Sequence, residues 1–260
     1  MTRLSVNLNK VALVRNARAG RRPGADARPS VDRAATAALD AGAAGVTLHP
    51  RPDRRHALPE DARSLSALLA VRAGEAELNL EGNPFSEPAE DYPGFLALLL
   101  EVGPEQATLV PDTRGQLTSD HGWDLARDAS RLAPVVRQLR ERGCRVSLFM
   151  DAAPEAIRRA AEVGADRVEL YTGPYAWAHA AGDPARELDR HAAAAEAARE
   201  AGLALNAGHD LDLSNLPDYL AAVAGVEEVS IGQALVSDAL HLGLAGAVGA
   251  YLRAIRGEES

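Results

Sequence analysis

Asp40-Ala41-Gly42-Ala43-Ala44-Gly45-Val46-Thr47-Leu48-His49-Pro50 decides the fold, because it reads as a helix stop feeding a strand. Ser30 can cap a helix from Val31 to about Ala41, and Gly42 closes it. The short apolar run from Gly45 ends at His49, and Pro50 and Pro52 prevent the strand from continuing. The same junction recurs as Glu162-Val163-Gly164-Ala165 and as Glu200-Ala201-Gly202-Leu203.

Outward from that unit, strands are expected at Leu4–Leu8, Gly45–His49, Ala76–Leu80, Gln106–Val110, Arg145–Met150, Arg167–Tyr171, Leu203–Asn206 and Glu228–Ile231. Helices are expected at Val31–Ala41, from Pro59 with the apolar face Ala62, Leu65, Leu68 and Leu69, and at Ala89–Val102 and Leu125–Arg142. Further helices fit Pro154–Val163, Arg186–Ala201, Leu216–Val223 and Ala234–Arg256. The Arg-, Gly- and Pro-rich segment Arg15–Pro29 reads as a long loop, as does the stretch holding Tyr175 and Trp177. Strict alternation implies parallel strands with helical crossovers. Eight units in 260 residues fit one (β/α)8 TIM barrel, an α/β fold, as a single domain over residues 1–260. A doubly wound open sheet is the competing fold; no glycine fingerprint follows the first strand to support it.

The composition is that of a globular protein, 47% hydrophobic and 25% charged, with a net charge of -9. That balance argues against a nucleic-acid or anionic-membrane partner while leaving room for a local anion site. Cys144 is the single cysteine, which excludes an internal disulfide and a cysteine metal cluster. No apolar run reaches the length of a membrane span and no secretory leader is evident, so a cytoplasmic location is expected. Lys10 is the only lysine among 28 cationic residues, which marks it for a chemical role that arginine cannot fill.

A barrel places its active site at the strand C-termini and the loops after them. Those positions carry Asn7, Asn9 and Lys10, then His49, Glu81, Glu169 and Tyr171, Asn206 and His209, and Gly232. Burying carboxylates with imidazoles costs free energy unless they pair or work. His49, Glu81 and His209 come from three strands and can run several proton transfers near neutral pH. A two-His-one-carboxylate metal site uses the same residue types; the neighbouring arginines favour phosphate chemistry. Ser230-Ile231-Gly232-Gln233-Ala234 joins the last strand to its helix, where free backbone N–H groups bind phosphate. Arg18, Arg51, Arg54 and Arg55 are candidates for a second anion. His121, His179, His191 and His241 are assigned no chemistry, His191 being expected on an exposed helix face. Tyr175 and Trp177 are expected to pack at the rim, against a neighbouring subunit, or in a lid.

Together these segments resemble the pyridoxine 5'-phosphate synthase family, the barrel enzymes that close the vitamin B6 ring. The resemblance rests on Asn7-Leu8-Asn9-Lys10 with Arg15-Asn16-Ala17-Arg18, and on Gly45-Val46-Thr47-Leu48-His49-Pro50-Arg51 with Asp53-Arg54-Arg55-His56. It continues through Asn79-Leu80-Glu81, Leu109-Val110-Pro111, Leu117-Thr118, Val146-Ser147-Leu148-Phe149, Glu162-Val163-Gly164-Ala165, Asn206-Ala207-Gly208-His209 and Ser230-Ile231-Gly232. The motifs stand in family order over nearly the whole chain.

The resemblance implies condensation of 3-amino-2-oxopropyl phosphate with 1-deoxy-D-xylulose 5-phosphate to pyridoxine 5'-phosphate, phosphate and water. It implies His49 and Glu81 as proton acceptors, His209 as proton donor, and Glu169 as the carboxylate stabilising a charged intermediate. Asn7, Arg18, Arg51, His56, Thr118, Asp210, Gly232 and Gln233 match ligand-binding positions, and Lys10 suits a phosphate or carbonyl contact. No metal or cofactor is implied, the partners are small phosphorylated substrates, and the assembly implied is a homo-oligomer, an octamer built from dimers. Three positions depart from much of the family: Asn9-Lys10 for Asp-His, Asp210 for glycine and Gln233 for histidine. Two other readings remain at this stage, another phosphosugar-handling barrel aldolase or isomerase, and a non-catalytic phosphate-ligand-binding homologue.

Overall fold

The computed structural model describes residues 1–20, 24, 26–72 and 74–258. Eight parallel strands close into a barrel in sequence order: β1 (Arg3–Asn7), β2 (Gly45–Leu48), β3 (Glu77–Gly82), β4 (Gln106–Leu109), β5 (Arg145–Met150), β6 (Arg167–Tyr171), β7 (Ala204–Gly208) and β8 (Val226–Ile231). Ser5 on β1 stands opposite Gly45 on β2 and Ser230 on β8, which shuts the ring.

Among the described residues the helices are α1 (Asn9–Ala19), α2 (Val31–Asp40), α3 (Pro59–Ala70), α4 (Phe95–Val102), α5 (Leu125–Glu141), α6 (Pro154–Val163), α7 (Gly173–Ala180), α8 (Ala185–Glu200), α9 (Leu216–Ala222), α10 (Gln233–Leu242) and α11 (Leu244–Arg256). Ser30 accepts a hydrogen bond from Arg33 N at the start of α2, as its sequence position predicts.

Four expected segments differ. The loop expected at Arg15–Pro29 is helical up to Ala19, and residues 21–23 and 25 lie outside the described ones. The helix expected from Ala89 begins only at Phe95, because Pro93 fixes its own φ and Gly94 sits at φ 90°. The loop expected around Tyr175 and Trp177 is α7, opened by Pro174 in its first turn. The single last helix is two, divided where Gly243 adopts φ 69°.

The strands alternate, and the two faces differ in chemistry. Leu4, Val6, Leu48, Leu78, Leu80, Leu109, Val146, Leu148, Val168, Leu170, Val229 and Ile231 are buried with the helices in one apolar core. The barrel interior is polar. Ser5 and Thr47 share a 2.7 Å hydrogen bond, Asn79 donates to Thr47 at 3.4 Å, and Thr108 donates to Asn79 at 3.2 Å. At the N-terminal end Glu77 meets Arg3 and Arg145, at 3.2 and 2.5 Å. Glu228 accepts from Gln106 at 3.0 Å and from Asn206 at 3.4 Å. Buried polar groups persist when they bond one another, and this floor meets that condition through charged and amide pairs. The floor leaves only the C-terminal mouth open.

Candidate active site

The mouth holds a cavity of about 490 Å³, lined by residues from the ends of several barrel strands and the loops after them. That volume suits a small metabolite. His49, Glu81, Glu169 and His209 all line it, as do Asn7, Lys10, Arg51, His56, Thr118, Asp210, Gly232 and Gln233. Arg18 does not line it; its side chain is exposed on α1. Of the unassigned arginines, Arg55 lines the cavity. Arg54 instead lines a separate cavity of about 470 Å³, where it donates to Asp91 O at 3.1 Å and approaches Glu60 at 3.4 Å.

His49 follows β2, and its backbone N–H donates to the side chain of Asn9 at 2.8 Å. Asn9 N in turn donates to Asn7 Oδ1 at 3.1 Å. The Asn-x-Asn phrase thus locks the ends of β1 and β2 together. The His49 ring lies between two carboxyls, with Glu81 3.7 Å from Nδ1 and Asp112 3.7 Å from Nε2. Burial first, then the charges of Arg51 and His56, hold this imidazole well below its usual range. His56 is pushed down to about 3 by burial and Arg51. Its Nδ1 accepts from Ala57 N at 2.9 Å, a bond that needs an unprotonated nitrogen. Both rings are neutral at pH 7.

The carboxyls move the opposite way. Glu81 is raised by burial and by Asp112 beside it, although Asn7 donates to it at 3.3 Å. Glu169 is raised well above its usual range by burial and by the Glu81 and Glu228 charges. Two buried carboxyls that repel share the charge, so one stays protonated when the other ionises. Gly208 leaves the room Glu169 needs, since a Cβ there would stand 2.3 Å from Glu169 Oε1. Thr108 donates to Glu169 at 3.4 Å and ties it to the polar column of the barrel.

Three cations, Lys10, Arg51 and Arg55, line the mouth on the side of β1 and β2. Lys10 is half-buried and lowered by burial, then by Arg55 and Arg51. Arg51 pairs with buried Asp112, and Ser119 donates to the same carboxylate oxygen at 2.9 Å. Arg55 donates to Gln116 O at 3.0 Å and Leu117 O at 2.6 Å, holding the loop after β4 at the cavity. Across the mouth, Gly232 and Gln233 open α10, whose first N–H groups have no intrahelical acceptor. At Gly232 a Cβ would crowd the Asn7 side chain at 3.0 Å.

Asp112 and Thr108 are site residues that the sequence reading missed. Asp112 follows Pro111 at once after β4 and read as part of a polar loop. The signal for Thr108 was available: apolar and polar residues alternate along β4 as along β1, which puts Thr108 on the inner face. His191 is the opposite case. Expected exposed, it is fully buried and bonded through Nδ1 to Tyr219 OH at 2.9 Å. Tyr175 is also buried, while Trp177 is 60% exposed at the rim of the cavity.

Fold and site together define a (β/α)8-barrel enzyme whose mouth combines neutral imidazoles and shared-proton carboxyls with the cations Lys10, Arg51 and Arg55. The family described as pyridoxal phosphate biosynthesis protein PdxJ matches residues 4–257. The chain belongs to that family. Among its relatives, the pyridoxine 5'-phosphate synthase of Xanthomonas axonopodis pv. citri (strain 306) is 54% identical over 255 residues, 98% of this chain and 97% of that one. The pyridoxine 5'-phosphate synthase of Xylella fastidiosa (strain 9a5c) is 51% identical, over 96% and 94% of the two chains. Among solved structures, 3-keto-L-gulonate-6-phosphate decarboxylase from Vibrio cholerae shares the fold at a TM-score of 0.63 and 11% identity, over 98% of both chains. A native KDPGal structure does so at 0.56 and 15%, over 98% of this chain and 94% of that one. Identities this low speak to the barrel alone. Among the described residues no helix is long and apolar enough to cross a membrane.

Proposed function

We propose that the chain condenses 3-amino-2-oxopropyl phosphate with 1-deoxy-D-xylulose 5-phosphate to form pyridoxine 5'-phosphate, releasing phosphate and water. The observation that carries this reading is the opposed protonation of His49 and the Glu81–Glu169 pair in one cavity that Lys10, Arg51 and Arg55 also line. Ring closure needs a Schiff base, loss of phosphate, addition and loss of water, and a carbon–carbon bond. Each step moves a proton, and groups poised near neutrality move protons in both directions.

In this reading neutral His49 accepts a proton, Glu81 accepts another as its charge is released, and His209 donates. An iminium entering the cavity attracts the charge that Glu81 and Glu169 share, which ionises Glu169 beside it. Lys10, Arg51 and His56 bind one phosphate ester on the β1–β2 side. Asn7, Gly232 and Gln233 bind the other at the start of α10, with Thr118 and Asp210 closing the ligand site between them. Purified protein given both phosphates is expected to release inorganic phosphate and form a pyridine chromophore together. Binding of both without either product would overturn the reading.

A second reading, a phosphosugar aldolase, draws on half-buried Lys10 with its lowered pKa. Borohydride trapping of a substrate adduct on Lys10, seen by mass spectrometry, would favour it. A single domain, a cytoplasmic location and a homo-oligomer belong to the first reading. For the oligomer, Leu13 and Val14 on α1 and Leu240 and Leu242 on the adjoining α10 are exposed apolar residues suited to burial. Light scattering at working concentration tests it.

A further inference from the structure

His209 and Asp210 are consecutive non-glycine residues in the left-handed region, at φ 89° and 58°. Such backbone is strained for residues that carry a Cβ and persists only where its surroundings enforce it. The enforcement is visible. Thr172 donates to Gly208 O at 2.7 Å and also to His209 O. Buried Asn215 donates to Asp210 O at 3.1 Å and accepts from Asp212 N at 2.9 Å. Tyr175 OH then donates to Asn215 O at 2.7 Å, tying this clamp to α7.

The turn brings a carboxylate back onto its neighbour's ring. Asp210 Oδ2 lies 3.0 Å from His209 Nδ1, and His209 Nε2 lies 2.8 Å from Thr118 Oγ1. The edge-to-face ring of Tyr171 packs on the imidazole with centroids 5.1 Å apart. We propose that Asp210 is a positioning residue that sets the orientation and tautomer of His209, turning Nε2 towards Thr118 and the cavity. The proposal rests on the reading of His209 as proton donor.

A carboxylate 3.0 Å from Nδ1 favours the tautomer that carries its proton there and fixes the ring, so that Nε2 is presented to Thr118 in one orientation. The groups facing this pair are Thr118 from the loop after β4, Tyr171 from β6 and Lys10 from α1, with Glu169 and Arg55 further round the cavity. Lys10 offsets the Asp210 charge, so the carboxylate is directed at cations rather than at a bound phosphate.

The test follows the ring resonances of isotope-labelled His209 by NMR across pH in Asp210→Asn and Asp210→Gly, beside the pH profile of turnover. Asparagine and glycine both tolerate the left-handed backbone, so either can report if the other fails to fold. In both variants the ring nitrogen resonances of His209 are expected to lose their bias towards the tautomer protonated at Nδ1, and kcat drops about tenfold. An unmoved tautomer signature in a folded variant would overturn the proposal. A moved signature in a protein whose wild type shows no turnover would uphold the pairing and remove the proposed reaction instead.

Discussion

Glu77 and Glu81 lie four residues apart on the inner face of β3, and they end in opposite states. Burial pushes Glu77 up, but Arg145 and Arg3 outweigh it and hold it below the usual range as a carboxylate. Burial pushes Glu81 up as well, and there the nearest strong influence is a second carboxylate, Asp112, so it stays raised. The guanidinium that might have neutralised it, Arg51, is paired with Asp112. One strand thus supplies a paired anion to the barrel floor and a carboxyl held in its protonated range to its mouth. The difference lies in which partners neighbouring strands bring to each end, and residue type plays no part in it.

Substitutions at the two ends sharpen that contrast. Glu81→Gln is expected to lower turnover about a thousandfold, in the range for loss of a proton-transferring group. Its melting temperature at pH 8 should be unchanged or raised. A folded state with a raised carboxyl binds a proton that the unfolded chain has lost, so stability falls as pH rises from about 4.5. The glutamine removes that loss. Wild-type turnover in this variant would break the assignment of the mouth.

Gly208→Ala drives the new methyl into Glu169 Oε1. Turnover should drop about thirtyfold if Glu169 must sit where it does, with little change in thermal stability because only a side-chain tip has to move. Comparing product formation with the melting curve separates the two effects.

At the floor, Glu77→Gln should leave turnover per folded molecule near wild type and cost roughly 2 kcal/mol of unfolding free energy in urea. That is below the range for a fully buried pair because Glu77 keeps 24% of its side chain exposed. A fall in turnover instead would mean that the two ends are not separate.

The last contrast is in acid stability. His56, lowered to about 3, stays neutral in the fold while the unfolded chain takes up its proton below about pH 6.5. Unfolding free energy should therefore decline as pH drops from 6.5 towards 3, and His56→Asn should flatten the decline. Urea titrations at a series of pH values read it directly.

The barrel was legible because its signals are local. Gly42, Gly164 and Gly202 stop helices within a residue or two of the strands they feed, and His49 and Glu81 could be placed on strand ends by counting. The errors were local too: Tyr175 and Trp177 stand in α7, and Gly243 breaks the last helix, where short-range propensity is weak. Most lining residues followed from the barrel rule or the resemblance; Tyr171 and Asn206 at strand ends and Arg18 on α1 do not line the cavity, and Asn206 is bonded to Glu228 in the floor instead.

The sequence by itself determined the order of strands and helices, the end of the barrel that carries chemistry, and the family. Only the tertiary structure decided that Asp112 takes Arg51, that Asp210 turns onto His209 and that Glu77 and Glu81 part in charge. Each of those depends on distances or backbone angles that close only when residues from separate strands and loops meet. An ionisable group's state is set by what stands within a few ångströms of it, and chain order does not record that.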